Sequence, residues 1–167
     1  MKNIFLIGFM GSGKSTIAGL LSERLGVARV EMDEMIVREQ GMPITEIFEK
    51  YGEEHFRDIE TDLVRRLQAQ DGVVVSCGGG AVLREENRRM MKESGAIVWL
   101  TAEPETILER VKHSTDRPVL NGHMNVEYIT GLMEKRRGCY EAAADFVVST
   151  DVKSRDEICA EILELVK

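Results

Sequence analysis

The chain has 167 residues, enough for one compact domain with a sizeable core. Its 43% apolar and 31% charged residues are an ordinary globular balance. A net charge of −7 argues against broad electrostatic binding to nucleic acid or anionic lipid, so phosphate recognition would fall to a few local cations and backbone amides.

No apolar run approaches the ~18 residues of a membrane-spanning helix. The first residues lead directly into a strand-like run, without the apolar stretch and cleavage site of a secretory leader. Cys77, Cys139 and Cys159 lack metal-type spacing, so reduced thiols in a cytosol are expected, with Cys77 packed in an apolar run.

In chain order, short apolar runs rich in branched residues alternate with longer amphipathic ones. The runs predict strands over Asn3 to Ile7, Arg29 to Met32, Val73 to Cys77, Ile97 to Leu100 and Phe146 to Ser149. A helix is predicted over Lys14 to Leu25, with Ile17, Leu20, Leu21 and Leu25 on one face and Gly26 as its stop. Glu53 to Gln70 repeats Phe56, Ile59, Leu63 and Leu67 at helical spacing. Asn125 can cap a helix running to about Ala144, and Ser154 with Glu157 forms a capping box for the last one. This alternation implies an α/β fold, a parallel sheet covered by helices on both faces, with ligands bound beyond the carboxyl ends of the strands.

Gly8-Phe9-Met10-Gly11-Ser12-Gly13-Lys14-Ser15-Thr16 follows the first strand and opens the first long helix, which is the P-loop pattern in its required context. Its glycines let successive amides turn inward around phosphate oxygens, and the helix N-terminus adds partial positive charge. Lys14 is placed to bridge β- and γ-phosphates and Ser15 to offer its hydroxyl to Mg²⁺.

The second strand ends Val30-Glu31-Met32-Asp33, and period-two alternation would set Glu31 and Asp33 on one side of its carboxyl end. Solvated strand-end acids are common; beside a P-loop, the pair fits a metal-associated acid and a substrate-facing acid. The third strand runs into Gly78-Gly79-Gly80, where three glycines suggest a backbone that a ligand approaches closely. Arg57 has Glu60 three residues on, which can orient it or form a solvated pair worth ~0–1 kcal/mol. Arg117 lies in an aperiodic stretch, Lys112 to Met124, that suits a lid. Lys135, Arg136 and Arg137 form a cluster of the kind usually found on a solvated helix face.

The combination resembles the shikimate kinase family from Ile4 to about Thr150. The resembling segments are the P-loop, Asp33-Glu34-Met35-Ile36, Gly52 to Glu60 with its Phe56-Arg57, Gly78-Gly79-Gly80-Ala81-Val82, Arg117-Pro118-Val119-Leu120, and Arg136 with Tyr140. The P-loop marks only a superfamily; the Phe-Arg, Gly-Gly-Gly and Arg-Pro segments in this order are far more specific. The resemblance implies transfer of a phosphoryl group from ATP to the 3-hydroxyl of shikimate. It implies a five-stranded parallel sheet in three α/β/α layers, one P-loop kinase domain over 1–167, with a substrate-binding region at about 33–61 and a lid at about 112–124.

Carried over residue by residue, Asp33 would accept the hydrogen bond of the reacting hydroxyl and act as its base. Arg57 and Arg136 would clamp the shikimate carboxylate, with the amides of Gly79 and Gly80 helping. Lys14 and Arg117 would stabilise the transferred phosphoryl group. Gly11, Ser12, Gly13, Lys14, Ser15 and Thr16 would hold the nucleotide, with Arg110, Arg117 and the loop near Lys153 around it and adenine against Arg110 and Lys153. Ser15 would ligate Mg²⁺. The family usually has Asp where this chain has Glu31, so a water-bridged contact from Glu31 to the metal would need a shifted water or rotamer. Val119 stands where the family usually has Leu. The expected partners are shikimate and ATP, without nucleic acid or membrane, in a cytoplasmic monomer. A kinase of another acidic polyol such as gluconate and a non-catalytic nucleotide-binding module are the alternatives.

Overall fold

The structure, a computed structural model, describes residues 2–112 and 125–167. The elements in chain order are β1 (Asn3–Ile7), α1 (Lys14–Leu25), β2 (Arg29–Glu31), α2 (Met32–Gln40), α3 (Ile44–Gln68) and β3 (Val74–Ser76). They continue with α4 (Glu85–Ser94), β4 (Gly95–Thr101), α5 (Pro104–Val111), α6 (Val126–Ala143), β5 (Phe146–Ser149) and α7 (Arg155–Leu165). The strands form one sheet in the order β2-β3-β1-β4-β5, with every pairing parallel.

Side-chain alternation along β1 divides the core. Phe5 and Ile7 point with Val75 and Ile97 into a cluster closed by Ile36, Leu63, Leu67, Met91 and Ala143, which belong to α2, α3, α4 and α6. Ile4 and Leu6 point the other way, with Val74, Val98 and Val148, onto Ile17 and Leu21 of α1 and Ile158 and Ile162 of α7. The result is three layers, helices on both faces of the sheet, as the alternation of elements implied. A third cluster, Phe9, Met10, Ile107, Val111 and Ile129, packs α5 and α6 against the loop after β1.

Helix ends follow local chemistry. Gly26 closes α1 in the left-handed region, at φ 67°. Asn125 caps α6 by accepting from the Tyr128 amide at 2.7 Å, and Ser154 and Glu157 make both bonds of the capping box. The predicted helix from Glu53 is the second half of α3, which is broken at Gly52 (φ 86°, ψ 169°). Asn3, fully buried, moors the end of α3 to the sheet: its amide donates to the Leu67 and Gln70 carbonyls and accepts from the Val73 amide. One reading is corrected. The second strand stops at Glu31, and Met32 and Asp33 open α2, so period-two alternation does not relate the two acids. Asp33 and Glu34 in the first turn suit a helix N-terminus, a signal the strand pattern of Val30 to Asp33 masked.

Candidate active site

The chain leaves β1 toward the β2 edge through α1 on one face, and leaves β3 in the other direction through α4 on the opposite face. The crevice between the carboxyl ends of β1 and β3 is therefore where such a sheet binds ligands. The P-loop and the glycine triplet meet there, around a cavity of about 410 Å³.

Gly13 is the N-cap of α1 at φ 100°, a conformation that a residue with a Cβ adopts only under strain. No acid occupies the first turn of α1, so the positive end of the helix faces the cavity unopposed by its own side chains. Lys14 is buried and donates to the Gly8 and Phe9 carbonyls at 2.7 and 3.1 Å. Ser12 is also buried, while Ser15 and Thr16 line the cavity. Ser15 Oγ donates to Glu31 Oε2 at 2.9 Å and lies 3.5 Å from Ser76 Oγ. Glu31 Oε1 is buried without a hydrogen-bond partner among the described residues, 3.8 Å from Arg29 Nε.

Each glycine of the triplet leaves room for a different side chain. A Cβ on Gly78 would lie 2.8 Å from both Asp33 Oδ1 and Glu60 Oε2; one on Gly79 would lie 3.3 Å from Arg136 Nη1. A Cβ on Gly80 would lie 2.6 Å from Arg57 Cζ. The loop is held from behind, because Tyr140 donates to the Gly79 carbonyl at 2.7 Å and Asn87 to the Ala81 carbonyl at 2.9 Å. Asp33, Arg57, Gly79, Gly80 and Arg136 thus share one wall of the cavity that Lys14, Ser15 and Glu31 also line.

The arginines differ from the solvated readings. Arg57 is 7% exposed and donates to Glu60 Oε1 at 2.9 Å; Glu60 is 1% exposed. Burial works against the Arg57 charge, but Glu60 and then Glu53 outweigh it and raise its pKa. Burial pushes the Glu60 carboxyl up; Arg57 pulls it down, Asp33 adds to the rise, and the net direction is upward. Arg136 is 4% exposed, its guanidinium 5.6 Å from the Phe9 ring, and its Nη1 has no hydrogen-bond partner among the described residues. Its neighbour Arg137 is exposed and pairs with Glu134 and Glu141, as a solvated face should. Cys77 is buried, and burial pushes its thiol well above the ordinary range.

Two residues lie away from the cavity wall. Arg110 donates to the Gly11 carbonyl at 2.8 Å, on the α5 side of the P-loop. Lys153 pairs with Glu161 of α7 at 2.8 Å. Gly11 and Gly13 line the cavity. Arg117 and, beyond Lys112, the segment at about 112–124 expected to form a lid lie outside the described residues; Lys112 ends α5 and pairs with Glu109. Ile44, Phe48 and Ser76 line the cavity without having been singled out in the sequence. Ile44 and Phe48 are one helical turn apart on the first half of α3, a spacing that pattern reading can find.

Phosphate-cradling backbone that opens into a chamber with its own acid and two buried guanidinium groups defines a P-loop phosphotransferase, an ATP-dependent kinase of a small molecule. The chain belongs to the shikimate kinase family, whose model matches residues 10–167. It is 45% identical over 163 residues to a shikimate kinase of Persephonella marina, covering 98% of each chain. With a shikimate kinase of Geobacter sulfurreducens the identity is 43% over 166 residues, 99% of this chain and 91% of the relative. In three dimensions it matches a shikimate kinase from Acinetobacter baumannii in complex with shikimate at a TM-score of 0.95 and 32% identity, over 99% of this chain and 93% of the other.

Proposed function

We propose that the protein transfers the γ-phosphoryl group of ATP to the 3-hydroxyl of shikimate, giving ADP and shikimate 3-phosphate. The observation that carries this reading is the wall of the glycine triplet, where two buried guanidinium groups and the Asp33 carboxylate converge beside a P-loop. Arg forks pair with carboxylates through two parallel hydrogen bonds, so a carboxylate-bearing alcohol fits this wall at both ends.

Phosphoryl transfer needs alignment and positive charge more than covalent chemistry. Arg57, Arg136 and the amides of Gly79 and Gly80 hold the carboxylate end, which fixes the hydroxyl end against Asp33. Asp33 accepts the hydroxyl's hydrogen bond and takes its proton as the new P–O bond forms. Lys14 exchanges loop carbonyls for phosphate oxygens, and the loop amides from Gly11 to Thr16 carry the rest of the phosphate chain. Arg110 and the loop near Lys153 lie toward the adenine, and Arg117 closes from a lid at about 112–124. The substrate region at about 33–61 and this lid belong to one kinase domain over 1–167, working as a cytoplasmic monomer without nucleic acid or membrane.

Mg²⁺ fits the nucleotide end. Ser15 Oγ would hold it, and Glu31, which accepts from the Ser15 hydroxyl, would meet it through water. The chemistry it would supply there is neutralisation of phosphate charge.

The test is ADP release with shikimate, quinate and gluconate side by side. Turnover with shikimate and none with gluconate is expected; equal rates would overturn the substrate assignment and leave the fold untouched.

A further inference from the structure

Four charged groups face one another along the glycine-triplet wall of the chamber. Arg57 and Glu60 come from α3, Asp33 from α2 and Arg136 from α6, so two cations balance two anions. Glu53 backs Arg57 from its outer side, and Cys77 and Tyr140, both kept neutral by burial, lie beside this cluster among the described residues. Glu60 differs from Asp33 in its surroundings. Its Oε1 accepts from Arg57, but its Oε2, buried, has no hydrogen-bond partner among the described residues. That oxygen and Asp33 Oδ1 each lie 2.8 Å from the same point, the place a Cβ on Gly78 would take.

A carboxylate arriving on Arg57 and Arg136 adds a third anion to a buried cluster with two cations. It also takes a share of the guanidinium that holds Glu60. Asp33 must stay ionised to accept the reacting hydroxyl, and the incoming carboxylate shares the Arg57 fork with Glu60 and Glu53. The charge that loses its support is the one on Glu60. We propose that Glu60 takes up a proton from solvent on Oε2 when the substrate carboxylate docks, and returns it when the product leaves. This rests on the carboxylate-substrate reading above. As a neutral acid, Glu60 still accepts from Arg57 through Oε1, and its new O–H faces Asp33. Burial already disposes this group toward protonation in the free protein.

Linkage fixes the sign. The Glu60 pKa is higher in the complex than in the free protein, so between the two values binding consumes a proton and affinity falls as pH rises, by up to about tenfold per pH unit. The window opens above the ordinary carboxylate value of 4.5, because the free-protein pKa is itself raised. The experiment is calorimetric titration of shikimate, without nucleotide, in buffers of different ionisation enthalpy from about pH 5 to about pH 9. Uptake approaching one proton per shikimate is expected somewhere in this range, with none for the methyl ester. Glu60→Gln should bind without uptake. In the wild type, where folding is not in question, infrared difference spectra should show a protonated carboxyl band on binding. Binding without proton uptake at every pH, or uptake unchanged in Glu60→Gln, would overturn the proposal and leave the substrate reading standing. Absence of shikimate binding at every pH would overturn the substrate reading and this proposal with it.

Discussion

Ser15 and Glu31, sixteen positions apart, are joined by a 2.9 Å hydrogen bond from Oγ to Oε2. Glu31 reaches Ser15 from the N-cap position of α2, with its second oxygen buried 3.8 Å from Arg29 Nε. Its additional methylene relative to Asp extends that reach. Glu31→Gln keeps the length and removes the charge. The Mg²⁺ concentration for half-maximal activity should rise several-fold, while shikimate affinity stays within about twofold of wild type. A Mg²⁺ titration that does not move would reduce Glu31 to a structural partner of Ser15.

Asp33 sits in the first turn of α2 and faces Gly78, not a strand partner. Asp33→Asn retains the shape and a hydrogen-bonding oxygen. Turnover should fall by about 10² or more with ATP affinity little changed, measured by steady-state kinetics and nucleotide titration. Near-normal turnover would show that the carboxylate only positions its neighbours.

Arg57→Ala and Arg136→Ala should each weaken shikimate binding roughly ten- to hundredfold, since charge-assisted bonds are worth ~1.5–3 kcal/mol. The two losses need not add, because one carboxylate is shared. Stability separates them. Arg57→Ala leaves the buried Glu60 carboxylate without its cation, and breaking such a pair costs about 3–5 kcal/mol. Arg136 has no ion pair of this kind among the described residues. Urea unfolding should therefore rank Arg57→Ala well below Arg136→Ala; equal losses would contradict the buried pair.

That penalty should depend on pH. The Glu60 pKa is raised in the folded protein and rises further once Arg57 is gone, so the folded variant holds its proton more tightly than the unfolded chain. Stability is then retained below about 4.5 and lost as pH climbs through the folded-state value. The gap between Arg57→Ala and wild type should widen from pH 5 to pH 8 in denaturant titrations. A gap that is constant with pH would show that losing Arg57 does not change the protonation of Glu60.

Gly80→Ala tests the wall directly. The new methyl would occupy the volume of the Arg57 guanidinium, so the side chain must withdraw. Shikimate affinity should fall by about the same factor as in Arg57→Ala, with ATP affinity preserved, because the atoms nearest the new methyl all belong to Arg57. A normal shikimate affinity would mean that Arg57 does not need this approach.

Elements whose ends are set by local chemistry were readable in the sequence. Gly26, Asn125 and Ser154 terminate or cap their helices as predicted, and β1 and β5 span the residues their patterns gave. Val30 to Asp33 misled because alternation and a helix start with early acids are both satisfied by the same four residues. Arg136 and Arg137 are adjacent and chemically equal, yet only the fold says which one Phe9 covers. The glycine triplet announced a close approach, but the approaching groups come from α2, α3 and α6, which no local pattern connects.

The mooring of α3 by Asn3 gives that helix the mechanics of a lever. Asn3 grips the helix at Leu67, at the amino-terminal edge of the sheet, while Arg57 and Glu60 work at the opposite edge. Ten residues of helix separate grip and guanidinium, about 15 Å at 1.5 Å per residue. A tilt of about 4° at the grip displaces the guanidinium by about 1 Å over that arm, and a misplacement of this size can cost ~10² in rate. The aim of the proposed carboxylate clamp is therefore set by a buried amide at the far end of the sheet, away from the cavity.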